Sequence, residues 1–238
     1  MMAQSDLWSA LEASWPAAHQ ERVGPFVWRD GAGGGSRVSA ATLAGHANTA
    51  DLNAILDKFK DQNRTPLFQI RQGDDALDTM LDQGGFEIAD ATLCLTAPVE
   101  HFATPDPETT YASWPPIAVQ RTIWHTGGID AARLEVMNRV QVAKTSILAR
   151  TGENPAGTAF VAALGPIAVV HALEVPNQFR RGGIATSLMS GAAVWAKDNG
   201  ATTLAVLVTR ANTGALALYS SLGMQEVDHY HYRRKGHP

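Results

Sequence analysis

The stretch Ile167-Ala-Val-Val-His-Ala-Leu-Glu-Val-Pro-Asn-Gln-Phe-Arg-Arg-Gly-Gly-Ile-Ala185 decides the fold of this chain. Its first nine residues are mostly apolar, rich in β-branched side chains and bounded by Pro166 and Pro176, a pattern that predicts a strand. The residues that follow, as far as Gly183, form a glycine-rich turn. A helix is then predicted by side chains on one face, namely Ile184, Leu188, Ala192 and Trp195. Strand, tight turn and helix therefore follow one another without a break.

A turn of this kind directs backbone N–H groups and a helix N-terminus at one point, which suits a phosphate group. Gly182 and Gly183 would let a ligand approach the backbone, and Arg180 and Arg181 add charge and forked N–H donors for phosphate oxygens. The turn alone does not distinguish a phosphate site from an ordinary strand-to-helix turn with solvated arginines. The residues that come next favour the phosphate site.

A second strand and helix follow directly. Residues 203–209 predict a strand, and Asn212 precedes a helix that ends at Gly223. The two segments together read Arg180-x-x-Gly183-x-Ala185 and then Asn212-x-x-Ala215-x-x-x-Tyr219. This combination resembles the GNAT superfamily of acyl-CoA-dependent N-acetyltransferases. The resemblance covers roughly residues 120–235, about half of the chain.

The resemblance implies an α+β protein with the acyl-CoA N-acyltransferase fold, in which two central strands part to admit the pantetheine arm of acetyl-CoA. Those strands would be residues 173–175 and 205–209. The backbone of Leu173 and Val175 would pair with the pantetheine amides, and Asn212 would contact the arm. Backbone amides of the turn would hold the pyrophosphate, with support from the two arginine side chains. The turn residues implied are Phe179, Arg180, Arg181, Gly182, Gly183, Ile184 and Ala185.

The implied reaction is direct attack of an amine on the thioester, which needs a neutral amine, a stabilised oxyanion and a thiol leaving group. Tyr219 would protonate the departing sulfur, although its position on the apolar helix face is also typical of a core tyrosine. Glu174 and His171 are the candidate bases, and alternation along the strand predicts that they point to opposite faces. A water chain to bulk solvent is the third route for the proton.

Composition is ordinary for a soluble globular protein, with 45% hydrophobic and 18% charged residues. The net charge of −4 and the lack of a basic stripe argue against a nucleic-acid partner, and the basic residues 233–235 suggest a solvated tail. Cys94, the only cysteine, predicts a strand thiol without a disulfide. No signal peptide, membrane span or metal site is predicted, so we expect a cytoplasmic protein without a membrane partner.

The first half contains a faint repeat of the second at an offset of 138 residues. Residues 67–70 align with 205–208, and Asp74 aligns with Asn212, so that each would cap its helix. Leu81 stands where Tyr219 stands, and no Arg-x-x-Gly turn precedes the first copy. We therefore expect a tandem GNAT protein whose first half is degenerate and binds no cofactor. Chance similarity of two strand–helix units is the alternative.

The prolines suggest where the two halves join. Five of the twelve lie between residues 98 and 116, which predicts an N-terminal domain at 1–100, a linker at 101–116 and a catalytic domain at 117–238. Residues 26–29 and 37–40 predict a hairpin, residues 117–124 a strand and residues 129–144 a helix. The candidate acceptor-site residues in this half are Trp124, Glu135 and Asn138.

The expected function is acetyl transfer from acetyl-CoA, as co-substrate, to a small-molecule amine or a peptide, without a metal. The alternative is a non-catalytic acyl-CoA-binding regulatory module, which would keep the phosphate turn and lack a working base. A dinucleotide-dependent oxidoreductase is disfavoured, because no Gly-x-Gly-x-x-Gly follows a strand near either domain start. The acceptor and the oligomeric state, a homodimer included, are left open.

Overall fold

A computed structural model of the protein describes residues 4–235 and has the α+β secondary structure that the sequence predicts. The helices are α1 (Gln4–Ala13), α2 (Thr49–Asp61), α3 (Asp75–Gln83), α4 (Ala118–Thr126), α5 (Ala131–Arg139), α6 (Ile184–Asp198) and α7 (Thr213–Ser221). The strands are β1 (His19–Val23), β2 (Phe26–Asp30), β3 (Ala41–Leu43), β4 (Leu67–Arg71), β5 (Phe86–Pro98), β6 (Thr110–Ser113), β7 (Ala143–Thr151), β8 (Asn154–Leu164), β9 (Ile167–Glu174), β10 (Thr203–Thr209) and β11 (Gln225–Lys235).

The chain folds into two compact units, each built from separate segments. Unit 1 contains the described residues up to Trp15 together with Cys94–Val208 and Asn212–Val227. Unit 2 contains Pro16–Leu93, Thr209–Ala211 and the described residues from Asp228 onward. The units therefore alternate along the chain, whereas the sequence predicts contiguous domains joined by a linker.

Unit 1 contains a mixed sheet with the strand order β5-β10-β9-β8-β7-β6. β9 and β10 are parallel and connected through α6, and β8 pairs antiparallel with β9. The helix α6 approaches β8 closely, since a Cβ added at Gly157 would lie 2.9 Å from Ile184 and 3.1 Å from Leu188. Cys94 is buried in β5, as predicted for a strand thiol.

Unit 2 has the strand order β1-β2-β3-β4-β11-β5. Its parallel pair is β3 and β4, which α2 connects. The large buried side chains of its hydrophobic core are Phe26, Trp28, Leu52, Ile55, Phe59, Phe68, Ile70, Leu77, Leu81 and Phe86. Leu81, the counterpart of Tyr219 in the repeat, is thus a core residue.

The predicted strand at residues 117–124 is wrong, because these residues form most of α4. The Gln120 side chain accepts the Ile117 N–H at 3.0 Å in the first turn, and Gly127 is the C-cap. The buried residues Gln120, Ile123 and Trp124 are spaced as they would be on one face of a helix. The β-branched side chains of this segment suggest a strand locally, but such propensity is weak against tertiary packing.

Three other segments also differ from their predicted structures. The helix predicted to reach Lys144 ends at Arg139, and the Lys144 ammonium donates to the carbonyls of Met137 and Asn138 at 3.2 and 2.8 Å. Residues 110–113 of the predicted linker form β6, which pairs with β7. The strand predicted at 37–40 begins at Ala41, after a 3-10 turn.

The basic residues at 233–235 are not simply a solvated tail. Arg233 lies in β11 with only 7% of its side chain exposed. It donates to Asp78 and Asp82 of α3 at 2.7 Å each and to the carbonyl of Phe86 at 2.8 Å. These bonds attach the C-terminal strand to α3 within unit 2.

Candidate functional site

The parallel strands β9 and β10 part near their carboxyl ends. Their ladder runs from Ile167 opposite Thr203 to Val170 opposite Val206, although β9 continues to Glu174 and β10 to Thr209. Within unit 1, the two strands therefore leave a wedge between residues 171–174 and 207–208.

A β-bulge lies in β9 where the ladder to β10 ends. Phe160 pairs with His171 and Thr158 pairs with Glu174, so three steps along β9 match two along β8. Ala172 adopts a φ of +50°, in the left-handed region that residues with a Cβ avoid. Bulges bend a strand and interrupt its pairing, which accounts for the wedge.

The side chain of Trp124 supports this bulge. Its indole Nε1 donates to the carbonyl oxygen of Ala172 at 2.7 Å. Trp124 is completely buried, and its indole N–H is already used by the Ala172 carbonyl. Glu135 and Asn138, the other two acceptor candidates, are exposed on α5 and hydrogen-bond to each other at 3.1 Å.

The bulge also changes which way the candidate bases point. Thr158 and Phe160 are two residues apart on β8 and share a face of the sheet, so their partners Glu174 and His171 share that face as well. The prediction that the two bases lie on opposite faces is wrong, because simple alternation fails when a strand contains an extra residue.

Glu174 is held in a confined position at the end of β9. Its side chain is 17% exposed, and burial raises the pKa of its carboxyl group, while the guanidinium of Arg180 at 3.4 Å acts in the opposite direction. A Cβ added at Gly127 would lie 2.5 Å from Cγ and 2.8 Å from Oε2 of Glu174. The absence of a side chain at Gly127 is therefore what leaves room for this carboxyl group.

His171 lies in a different environment, among aromatic side chains. It is 7% exposed, and its Nε2 lies 2.9 Å from the hydroxyl oxygen of Ser14. Its ring centroid is 4.9 Å from that of Trp15 and 6.2 Å from that of Phe160. These contacts anchor the end of the N-terminal helical segment on the sheet of unit 1.

The turn before α6 presents free backbone donors. Arg181 and Gly183 both have left-handed backbone conformations, with φ of 60° and 80°, and the N-cap Gly183 makes no side-chain cap. No acceptor in residues 4–235 receives the amide N–H groups of residues 181–186. Backbone amides arranged in this way at a helix N-terminus form an anion-binding concavity.

The two arginines of the turn differ in their contacts. Arg180 donates through Nε to the carbonyl of Val175 at 2.9 Å and through a terminal nitrogen to Glu174. Arg181 is exposed, and its guanidinium has no partner among the residues that the structure describes. Arg180 therefore stabilises the end of β9, and Arg181 is the arginine available to a bound anion.

Asn212 and Tyr219 lie on α7. The Asn212 side-chain oxygen accepts the Ala215 N–H at 3.1 Å and caps the helix, which confirms the predicted cap, whereas Asp74 accepts the Arg71 N–H of the preceding strand instead. Burial raises the pKa of Tyr219 to about 12. Within residues 4–235, no hydrogen bond to its hydroxyl group is present. Tyr219 is therefore a protonated phenol with a free donor.

The chain resembles known proteins in sequence. The sequence profile of the acetyltransferase (GNAT) family matches residues 106–224, which is half of the 238-residue chain. The chain belongs to the GNAT family. An uncharacterized N-acetyltransferase of Bacillus subtilis strain 168, YobR, is 22% identical over 240 residues, which cover 94% of this chain and 95% of that protein.

Solved structures of GNAT proteins share the fold. A GCN5-related N-acetyltransferase from Kribbella flavida superposes with a TM-score of 0.76 at 19% identity, over 100% of this chain and 97% of the other. A tandem GNAT protein from the clavulanic acid biosynthesis pathway superposes with a TM-score of 0.59 at 13% identity, over 90% and 78% of the two chains. The GNAT resemblance expected from the motifs is confirmed.

All of the expected catalytic and cofactor-binding residues lie in unit 1, and the structure adds residues that sequence reasoning missed. These are Gln120, Gly127 and Ala172, together with the supporting role of Trp124. The pair Gly127-Gly128 is a helix-stop signal and could have identified α4 as a helix. Nothing in the local sequence marks Ala172, because the bulge depends on contacts with β8 and α4.

Residues 4–235 contain neither a group of three or more potential metal-ligating side chains nor a helix with the length and hydrophobicity needed to cross a bilayer.

Proposed function

We propose that this chain is an N-acetyltransferase that uses acetyl-CoA and transfers the acetyl group directly to an amine. The observation that carries the proposal is the wedge between β9 and β10, which opens beside the unbonded amides of residues 181–186. An elongated ligand with a polyamide arm and a diphosphate fits both features. Membership of the acetyltransferase family supports acetyl-CoA as that ligand.

The binding part of the proposal assigns the pantetheine arm to the wedge and the pyrophosphate to the turn. Leu173 and Val175 would pair with the arm through their backbone. Amides of residues 179–185 would hold the phosphates, with the exposed guanidinium of Arg181 as the added charge. Asn212 would contact the arm through its side-chain nitrogen, because its oxygen already caps α7.

The chemical part assigns the base to Glu174. Its raised pKa, caused by burial, makes the carboxylate a stronger proton acceptor than an exposed glutamate would be. It would take a proton from the ammonium form of the acceptor, directly or through water, and the neutral amine would then attack the thioester carbonyl. His171 is the less favoured base, because it is buried beside Trp15 and Ser14.

Tyr219 would complete the reaction as the general acid. When the tetrahedral intermediate collapses, the carbon–sulfur bond breaks, the departing sulfur takes a proton from Tyr219, and the attacking nitrogen gives up its surplus proton to water. The Tyr219 phenolate then regains a proton from water, and Glu174 releases its own to solvent. A buried phenol with a pKa of about 12 remains protonated at neutral pH, and its free hydroxyl could donate. The leaving thiol and the acetylated amine are then the products.

The first test is binding. Acetyl-CoA at about a hundredfold its Kd should stabilise the protein by ~2–3 kcal/mol, and Gly183→Asp should abolish this shift, because a carboxylate would repel the pyrophosphate. Gly200→Asp is the matched control, since Gly200 also has a positive φ and open space around it, but lies at the other end of α6. An undiminished shift in Gly183→Asp would exclude this turn as the phosphate site.

The second test is turnover. Release of free coenzyme A thiol, measured across a panel of small amines and peptides, separates an enzyme from an acyl-CoA-binding regulatory module. The module would show the binding shift and no thiol release with any acceptor. For the enzyme, the acid limb of the kcat/KM profile should lie above the ordinary range of a glutamate, and Glu174→Gln should remove that limb.

A further inference from the structure

We propose that Trp124 is a positioning residue that holds the Ala172 bulge and thereby keeps the wedge between β9 and β10 open for the pantetheine arm. This inference rests on the proposed function for the identity of the ligand. The mechanical part, that one indole N–H maintains the bulge, rests on the geometry of the protein without ligand.

The first step is the cost of the bulge. Ala172 carries a Cβ in the left-handed region at φ +50°, where steric repulsion makes the conformation unfavourable for any residue except glycine. A strained residue of this kind persists only when its surroundings hold it. A straight β9 in register with β10 is the competing arrangement, and it would close the wedge.

The second step is what opposes that closure. The Ala172 carbonyl receives the Trp124 indole N–H at 2.7 Å, from a side chain that is completely buried. A flattened bulge would move this carbonyl and leave the buried N–H without an acceptor. Because unpaired buried donors are costly, the hydrogen bond selects the bulged state of β9.

The third step is what fixes Trp124. Helix α4 is anchored to the sheet one turn earlier by Gln120, which is buried completely. Its amide nitrogen donates to the hydroxyl of Thr158 at 3.2 Å, and its oxygen accepts from the hydroxyls of Ser113 and Ser146 at 3.1 Å each. Thr158 is the β8 residue opposite Glu174. Gln120 therefore fixes the position of α4 relative to the part of the sheet that contains the bulge.

The spacing along α4 matches this geometry. Gln120, Trp124 and Gly127 occupy one face of the helix, four and three residues apart. In that order they contact Thr158, the Ala172 carbonyl and the Glu174 side chain. One helix face thus meets three consecutive features of the candidate site, which indicates a positioning role and not only core packing.

The test compares Trp124→Phe with Trp114→Phe. The first removes the N–H donor to Ala172. The second removes an indole that packs against Phe160 in the same unit but donates no hydrogen bond to the Ala172 carbonyl. In the ligand-free protein, hydrogen exchange in a peptide covering residues 171–176 should change in Trp124→Phe and not in the control. If the bulged fraction falls to about a tenth, the Kd for acetyl-CoA should rise about tenfold.

A rescue variant separates positioning from general destabilisation. Ala172→Gly removes the steric penalty of the left-handed conformation, so Trp124→Phe/Ala172→Gly should recover most of the lost affinity. A purely structural Trp124 would give no such recovery. If Trp124→Phe fails to fold, Ala172→Val can be used instead. A β-branched residue is strongly disfavoured at this φ, so this variant should destabilise the bulge and weaken binding similarly.

The outcomes are distinguishable. If wild-type protein binds no acetyl-CoA, the proposed function fails, while the exchange measurement still decides whether Trp124 holds the bulge. The positioning role is overturned by a different result. In that case the wild type binds acetyl-CoA, but Trp124→Phe alters hydrogen exchange at residues 171–176 and the Kd no more than the Trp114→Phe control does.

Discussion

Gly127 is the residue whose small size matters most at the candidate site. Its φ of −82° is ordinary for any residue, so alanine could adopt the backbone without strain. The obstacle is Glu174, whose Cγ would lie 2.5 Å from the new Cβ. Glycine is therefore required here by a neighbouring side chain and not by backbone conformation.

A double-mutant cycle can measure this requirement. Gly127→Ala should destabilise the protein by ~1–3 kcal/mol, as overpacking does, when unfolding is followed in denaturant. In a Glu174→Ala background the cost should disappear. Gly84→Ala is the control, because Gly84 ends α3 with a similar φ of −78° and the nearest atom to its added Cβ is 3.3 Å away. Equal costs in both backgrounds would contradict the proposed clash.

Tyr219 provides the second prediction for a single residue. Tyr219→Phe removes a hydroxyl that has no partner among the described residues, so stability and acetyl-CoA affinity should change little. Turnover should fall by ~10²-fold, the lower end for a general acid, because a thiol with a pKa of about 8.5 already leaves well. Steady-state kinetics and a denaturant melt on the same variant measure the changes in turnover and in stability. A fully active variant would leave proton delivery to water.

At the scale of the element, the strand β11 depends on a charged cluster. Arg233 bonds two carboxylates of α3, and His231 contributes a 2.8 Å contact to Asp78. The Arg233 guanidinium, with help from His231, lowers the pKa of Asp78. A lowered carboxyl pKa contributes stability above the unfolded-state value near 3.9 and loses it as the pH falls through the folded-state value.

Asp78→Asn tests this attachment. The substitution should lower the free energy of unfolding by about 2 kcal/mol at pH 7, the scale of a hydrogen bond to a charged group. The difference from wild type should shrink once the pH is below the lowered pKa of Asp78, where the wild-type carboxylate is protonated too. Asp75→Asn in the exposed first turn of α3 is the control. Denaturant melts between pH 7 and pH 2 would contradict the account if the difference stayed constant.

At the scale of the whole molecule, the two units differ in the N-terminus of the helix that connects their parallel strands. In unit 2, Asn48 caps α2, its side-chain oxygen accepting from Ala50 and Asp51 at 2.8 and 3.1 Å, and the Asp51 carboxylate accepts the Asn48 N–H at 3.0 Å. In unit 1, Gly183 leaves the corresponding end of α6 uncapped. The N-terminus of α6 can therefore accept an anion, whereas at the N-terminus of α2 the Asp51 carboxylate would repel one.

One acetyl-CoA should therefore bind per chain. Calorimetric titration of the wild-type protein should give a stoichiometry near one, and Gly183→Asp should eliminate the signal. A stoichiometry near two would mean that unit 2 also holds the cofactor and that the first half is not degenerate. A residual site in Gly183→Asp would point to the same conclusion.

The sequence by itself determined the parts of this protein that depend on neighbours along the chain. The turn at residues 180–185, the Asn212 cap and Tyr219 on its helix follow from short-range spacing, and so does membership of the GNAT family. Only the tertiary structure decided that Ala172 forms a bulge, that Glu174 and His171 share a face, and that residues 118–126 form a helix. Each of these depends on burial and on hydrogen bonds between residues distant in sequence, such as Trp124 and Ala172, which local propensity and alternation do not encode.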